Sequence, residues 1–396
     1  MTRPTDPSFD PSLHVLQVVP HLLPHRGGVM KMVSDLVPVL MRADASVKIT
    51  VGCFDFETPP PAWDELDTNR FRLVHLGRDG VSLETLADDA HVMHLHGVWD
   101  PKVARASKVG IKTDTPWVIS AHGMLNDWAV AHRAWKKKIF LKLLGKRHFG
   151  GSSGVHVTAA QERQQARRNL RSTVDLPDDH FRVIPLAIDD TLFGPVPDPT
   201  PARRELLADV PADAPILLFA GRMHPVKRIH LLIEALPKLH ATGIDAHVAI
   251  AGADVEHTEV DLRQRVDDLD LRNSVHFLGF VRGETLRSLY AAADLFVLPS
   301  ISENFGLVLP EALLCGTPVL TTRGVDIWQE LEAAGASVLE TVDADRIAEV
   351  AGQLLSDRPA LSELGQQGRA WVEANLEPIN IAGQYLQLYR DVIKRP

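Results

Sequence analysis

The stretch SISENFGLVLPEALLCGTPVL, residues 300–320, holds two glutamates eight positions apart, Glu303 and Glu311. Carboxylates are poor ligands for phosphate but good acceptors for hydroxyls. Between them Gly306 lies at or just before a helix start, and Pro310 must fall in the first turn, because an interior proline removes a hydrogen bond and clashes. The free N–H groups and partial positive charge of a helix N-terminus suit an anion. Acids on both sides of an anion site fit a molecule with hydroxyls at each end and a diphosphate in the middle, which describes a nucleotide-sugar. The spacing alone does not decide the matter. Two surface glutamates on an amphipathic helix explain a bare pair of acids better.

Further residues of suitable type stand just past apolar runs. ILLFAGRMHPVKR supplies Gly221, Arg222 and Lys227. Two cations after a strand can clamp a diphosphate, Arg as a planar fork and Lys as a point charge; a solvated loop with two charges explains them equally well. HRGGVMK carries Gly27 and Gly28 before a helical pattern. Paired glycines let backbone approach a ligand, although a plain tight turn is as good a reading, and the absence of G-x-G-x-x-G argues against a dinucleotide fingerprint. HLHGVWD (94–100) and ISAHGMLNDW (119–128) each place His-Gly at a strand end. A functional role is expected for His122. For His96 and Trp99 an architectural role is preferred over an acceptor-side one.

The elements that must position these residues are short apolar runs alternating with helical patterns. LHVLQVV, VKITVG, FRLVHL, AHVMHLHG, PWVIS and GVHVTA read as strands, and VMKMVSDLVPVLMRA as a helix disturbed at Pro38. Such alternation predicts a parallel sheet covered on both faces. Five prolines between Pro185 and Pro201 interrupt it, after which ILLFAGR, AHVAIAG, VHFLGF, LFVLPS and TPVLTT restart it. The expected organisation is a polar N-terminus (1–12), an α/β domain (13–190), a linker (191–214), a second α/β domain (215–378) and a last helix (379–396) that packs on its own domain or crosses back to the first. Facing each other across a cleft, two such domains would present their loops to a ligand, since open α/β sheets bind beyond the carboxyl ends of strands.

With these residues in place, the chain resembles the group 1 glycosyltransferases, retaining enzymes of the GT-B fold with two Rossmann-like domains. The matching positions are Ser300, Glu303, Phe305, Gly306, Glu311, Ala312, Gly316, Pro318 and Val319, with Gly221, Arg222 and Lys227 as the family's G-R-x-x-x-x-K loop. The resemblance implies that Glu311 binds ribose hydroxyls, and that Glu303 with the backbone of Asn304, Phe305, Gly306 and Leu307 binds the donor sugar. It implies that Arg222 and Lys227 stabilise the leaving diphosphate, that His122 reaches the donor sugar, and that the Gly27–Gly28 turn faces the diphosphate and the acceptor. More weakly, it brings the backbone near Phe280 and Val281 to the base. His122, Arg222, Lys227 and Glu303 are thus the expected catalytic group. Where the family's hinge has Asn-Gly, this chain has Leu186-Ala187-Ile188-Asp189.

The expected activity is sugar transfer from a nucleotide-diphosphate donor to a hydroxyl of a glycan, a lipid-linked molecule or a small molecule, with retention, in polysaccharide or cell-envelope synthesis. No cofactor or metal is expected. A nucleotide-sugar isomerase or epimerase and a non-catalytic nucleotide-sugar binder are the alternatives. A net charge of −9 argues against a nucleic-acid partner. Two cysteines, no apolar N-terminal run and no spanning stretch lead to a cytoplasmic expectation. Against the acidic background, RAWKKKIFLKLLGKRHF (133–149) has seven basic residues and no acid. Its apolar residues are expected in the core, with contact to an anionic membrane face as the rival reading if the acceptor is lipid-linked.

Overall fold

The computed structural model describes residues 13–23 and 28–394 and divides into two units. One takes the chain to Ala187 and again from Pro378; the other is Ile188–Glu377. The fold is GT-B in class, with one Rossmann-like parallel sheet in each unit.

In the first unit the strands are β1 (His14–Val19), β2 (Lys48–Cys53), β3 (Phe71–His75), β4 (Val92–His96), β5 (Trp117–Ser120), β6 (Gly154–Val157) and β7 (Phe181–Val183). They pair in parallel in the order β3-β2-β1-β4-β5-β6-β7. Every residue of β4, β5 and β6 is buried, as the continuous apolar runs predict for a sheet covered on both faces. The order reverses between β1 and β4, and such a switch point is where open α/β sheets place ligands.

The helix Gly28–Ala43 runs through Pro38 without a break. Sequence reasoning expected a disturbance there, since an interior proline costs about 3 kcal/mol or more. Val33, Leu36, Val37, Leu40 and Met41 on that helix are buried in one cluster with β1 and β2. Full burial of each side chain is worth about 1.5–3 kcal/mol, so packing outweighs the proline. The last helix, Pro378–Ile393, joins this cluster through Ile381, Tyr385, Leu388, Tyr389 and Val392. It therefore crosses back to the first unit.

In the second unit β8 (Ile216–Ala220), β9 (His247–Ala251), β10 (Val275–Gly279), β11 (Leu295–Val297), β12 (Val319–Thr322) and β13 (Ser337–Leu339) pair in parallel in the order β10-β9-β8-β11-β12-β13. The switch point lies between β8 and β11. The proline-rich segment expected as a linker belongs to this unit. Its short helix Thr200–Glu205 is tied to the helix Gly283–Ala292, where Ser288 Oγ donates to the Asp198 carbonyl at 2.7 Å and accepts from the Ala202 amide at 3.0 Å. The unit boundary falls at Ala187–Ile188, within the Leu186–Asp189 stretch.

Candidate functional site

At the carboxyl end of β8 the chain turns sharply. Gly221 takes φ +147° and donates its N–H to the Ala251 carbonyl at 2.9 Å. A side chain on Gly252, at the end of β9, would overlap the Gly221 carbonyl, so this crossing demands glycine. Arg222 follows and is exposed; among the described residues it makes no side-chain hydrogen bond or ion pair that would tie it down. Lys227 closes a short 3-10 turn, Pro225–Lys227, and is buried.

The loop after β11 is stitched to this one. The Val226 carbonyl accepts from the Ile301 N–H at 3.0 Å and from the hydroxyl of the fully buried Ser300 at 3.2 Å. That junction brings Lys227 Nζ against Glu303 Oε1 in a partly buried ion pair. The Glu303 backbone is fixed on its other side, where its N–H donates to Gly324 and its carbonyl accepts from the Asp326 N–H, both at 2.9 Å. Gly306 takes φ +65° ahead of the helix Val308–Leu314. Pro310 occupies the first turn as required, and no side chain caps the helix. Glu311 sits one turn in, and its Oε2 accepts from the hydroxyl of the buried Tyr290 at 3.2 Å. Burial, reinforced by the Glu311 charge, pushes the Tyr290 phenol well above its usual range, so it remains a donor.

Lys227 and Glu303 are thus in contact, with Arg222 and Asn304–Leu307 on the same two loops and Glu311 on the helix that follows. The Gly279 carbonyl, just before Phe280 and Val281, accepts from the Gly252 N–H at 2.7 Å beside the Gly221 turn. These two residues follow the edge strand β10, which β9 separates from β8, and Phe280 is 71% exposed.

In the first unit the His-Gly pairs end neighbouring strands. His96 closes β4 and is buried; His122 follows β5 with φ +51° and is partly exposed. Their rings stack at 5.2 Å between centroids, with His96 Nδ1 3.0 Å from His122 Nε2. Burial holds both rings well below the usual histidine range, each lowered further by its histidine neighbours. Trp99 is held by its neighbours: its Nε1 donates to the Met124 carbonyl at 3.0 Å, its ring packs edge-on against Phe140, and Lys137 lies over it. Gly28 opens the helix after β1, and Gly27 lies outside the described residues.

Sequence reasoning missed two supports. Tyr290 has no local pattern linking it to Glu311. Glu162 is completely buried and accepts from the Gly123 and Thr158 N–H groups, both at 2.6 Å, and from the Thr158 hydroxyl at 2.9 Å. It fixes the turn that carries His122. Burial raises its carboxyl despite these hydrogen bonds. The signal available was a capping-box pattern, Thr158-x-x-Gln161; the structure uses the next residue instead. Among the described residues no group of His, Cys, Asp and Glu side chains gathers as a metal would require.

Residues 207–371 match the family model of glycosyl transferases group 1. The chain is 32% identical over 180 residues to N-acetyl-alpha-D-glucosaminyl L-malate synthase of Bacillus anthracis, covering 45% of this chain and 46% of that protein. It is 31% identical over 266 residues to D-inositol 3-phosphate glycosyltransferase of Xylanimonas cellulosilytica, covering 64% and 61%. Both matches span less than two thirds of the relative's length. Among solved structures, Anabaena HepE in complex with UDP superposes with a TM-score of 0.77 at 19% identity, over 96% of this chain and 100% of that one.

Proposed function

We propose that the chain, whose residues 207–371 match the family model of glycosyl transferases group 1, transfers a sugar from a nucleotide-diphosphate donor to an acceptor hydroxyl. The observation that carries the reading is the Lys227–Glu303 pair at the switch point of the second sheet. A cation and an acid neutralise each other there until a ligand offers each a better partner: a phosphate oxygen for Lys227 and a sugar hydroxyl for Glu303. Exposed Arg222 adds a second cation on the same loop, and Glu311, steadied by Tyr290, offers its carboxylate to ribose hydroxyls.

The barrier lies in breaking the anomeric C–O bond, which builds negative charge on the departing diphosphate. Arg222 and Lys227 stabilise that charge. These two cations do the work a divalent metal does elsewhere, so the reaction is proposed to proceed without one. No side chain is assigned as a covalent nucleophile, and retention is proposed to follow from departure and attack on one face of the sugar. UDP-sugars are the first donors to test, since the solved neighbour binds UDP. A lipid-linked acceptor, met with the basic helix against an anionic membrane face, is the favoured acceptor class because that helix exposes apolar side chains beside its lysines.

The test is a transfer assay run with UDP-, GDP- and ADP-sugars, with and without chelator. Lys227→Ala is expected to lower turnover on the order of 100–1,000-fold, the loss typical of a group that stabilises charge in the transition state. Glu311→Ala is expected to abolish nucleotide-dependent thermal stabilisation. Normal turnover in both variants would refute the site, and interconversion of the donor without an acceptor would point to an isomerase.

A further inference from the structure

Behind His122 runs a line of buried polar side chains that the transfer reaction does not itself require. Its far end is the Ile184 carbonyl, which can only accept, so His156 Nε2 at 2.8 Å carries a proton; Tyr385 OH shares that proton at 3.1 Å. Burial holds the His156 ring at about 4, so it is neutral near pH 7 and its Nδ1 is bare. Ser120 Oγ, 2.6 Å away, donates to that Nδ1 and must therefore accept from His94 Nε2, also at 2.6 Å. His94 Nδ1 is then bare and receives the Tyr389 hydroxyl at 2.8 Å. The Tyr389 oxygen accepts from the Gln17 amide nitrogen at 3.2 Å, which turns the Gln17 carbonyl oxygen to His96 Nε2 at 2.6 Å. An amide oxygen only accepts, so His96 is protonated on Nε2 and bare at Nδ1, the atom 3.0 Å from His122 Nε2.

We propose that this one-way chain, from the Ile184 carbonyl through Tyr389 of the last helix, fixes the proton of His122 on Nε2 and makes its Nδ1 an acceptor for a substrate hydroxyl. His122 Nδ1 is screened from water and has no hydrogen-bond partner in the protein. A buried unpaired acceptor is costly enough that native structures rarely keep one without a use. Reversing any link would set two lone pairs or two protons face to face, so the direction is set along the whole line. Gln17 and Tyr389 are positioning residues: neither meets substrate, and both act through His96 and His94. The identity of the hydroxyl rests on the sugar-transfer reading; the position of the proton does not.

Protein labelled with ¹⁵N-histidine, with resonances assigned by single-histidine variants, reports which ring nitrogen carries each proton. His94, His96, His122 and His156 are expected to be protonated on Nε2 and bare on Nδ1. Tyr389→Phe frees the Gln17 amide to turn, so His96 and His122 are expected to lose their single tautomer while melting shows the variant folded. Turnover is expected to fall on the order of five-fold, with nucleotide affinity unchanged. Should Tyr389→Phe not fold, Gln17→Leu removes the last link and gives the same readout. A proton on His122 Nδ1 in the unsubstituted protein would overturn the proposal, and so would an unchanged tautomer in a folded variant. Scrambled tautomers with unchanged turnover would remove the role assigned to Nδ1. Absence of transfer in the unsubstituted protein, with the tautomers as expected, would count against the proposed function and leave the chain standing.

Discussion

Tyr290 shows how one buried hydroxyl can serve a site whose residues all lie elsewhere. Its ring is buried on the helix Gly283–Ala292, and its phenol donates to Glu311. Hydrogen bonds to charged groups contribute about 1.5–3 kcal/mol, and only part of that passes to a ligand held by the same carboxylate. Tyr290→Phe keeps the ring and removes the donor. It is expected to weaken nucleotide binding roughly five-fold, about 1 kcal/mol, by titration calorimetry, with the fold retained; unchanged affinity would mean that Glu311 needs no such support. At this scale the sequence was informative where chemistry repeats at fixed spacing. Lys227, Glu303 and Glu311 stood out because cations and acids recur just past strands. Tyr290, Glu162 and Tyr389 did not, because each meets its partner across distant chain segments, where no local pattern marks the contact.

Among the elements, the strands with unbroken apolar runs were legible, the three-residue β11 within LFVLPS included, whereas the equally short β7 and β13 were not, having no longer apolar run around them to show a period. Packing against neighbours was equally invisible. The helix Arg358–Asn375 comes close to the Glu311 helix only because Gly365 and Gly368 leave room, since a side chain at either would overlap Gly316 or Leu313. The basic segment departs further from expectation. Its helices Ala134–Phe140 and Lys146–Gly150, joined by a π-helical turn, bury Leu141 but leave Trp135 64% and Leu143 72% exposed. Core burial was expected for these apolar residues. Exposed apolar groups interleaved with lysines instead have the pattern of a surface that lies on anionic headgroups. Binding to phosphatidylglycerol-containing vesicles is expected in co-sedimentation, weakening as salt is raised and absent with neutral vesicles. Trp135→Ala with Leu143→Ala is expected to reduce it several-fold, and equal binding to neutral vesicles would reject the electrostatic part.

For the molecule as a whole, acid is expected to act first on the unit that holds the histidine line. His94, His96, His122, His148 and His156 are all held below the usual range, burial being the first cause in each, with His148 and His156 at about 4. In the unfolded chain the same rings titrate near 6.5. Between about pH 6.5 and 4 the unfolded state therefore binds protons that the folded state refuses, and stability falls as pH falls. For His156 alone the loss approaches about 3 kcal/mol at the acid end. Glu162 acts in the opposite sense. Its raised carboxyl takes up a proton more readily folded than unfolded, which adds stability on acidification. One such group does not offset five histidines. Calorimetry over this range should show the melting of the first unit moving down with pH. His156→Gln cannot take up the proton in either state. Its stability should therefore change less steeply, by about one proton, or roughly 1.4 kcal/mol per pH unit inside the window. A slope equal to that of the unsubstituted protein would mean that the His156 ring is already charged in the fold, and the direction of every hydrogen bond from Ile184 to His122 would then be open again.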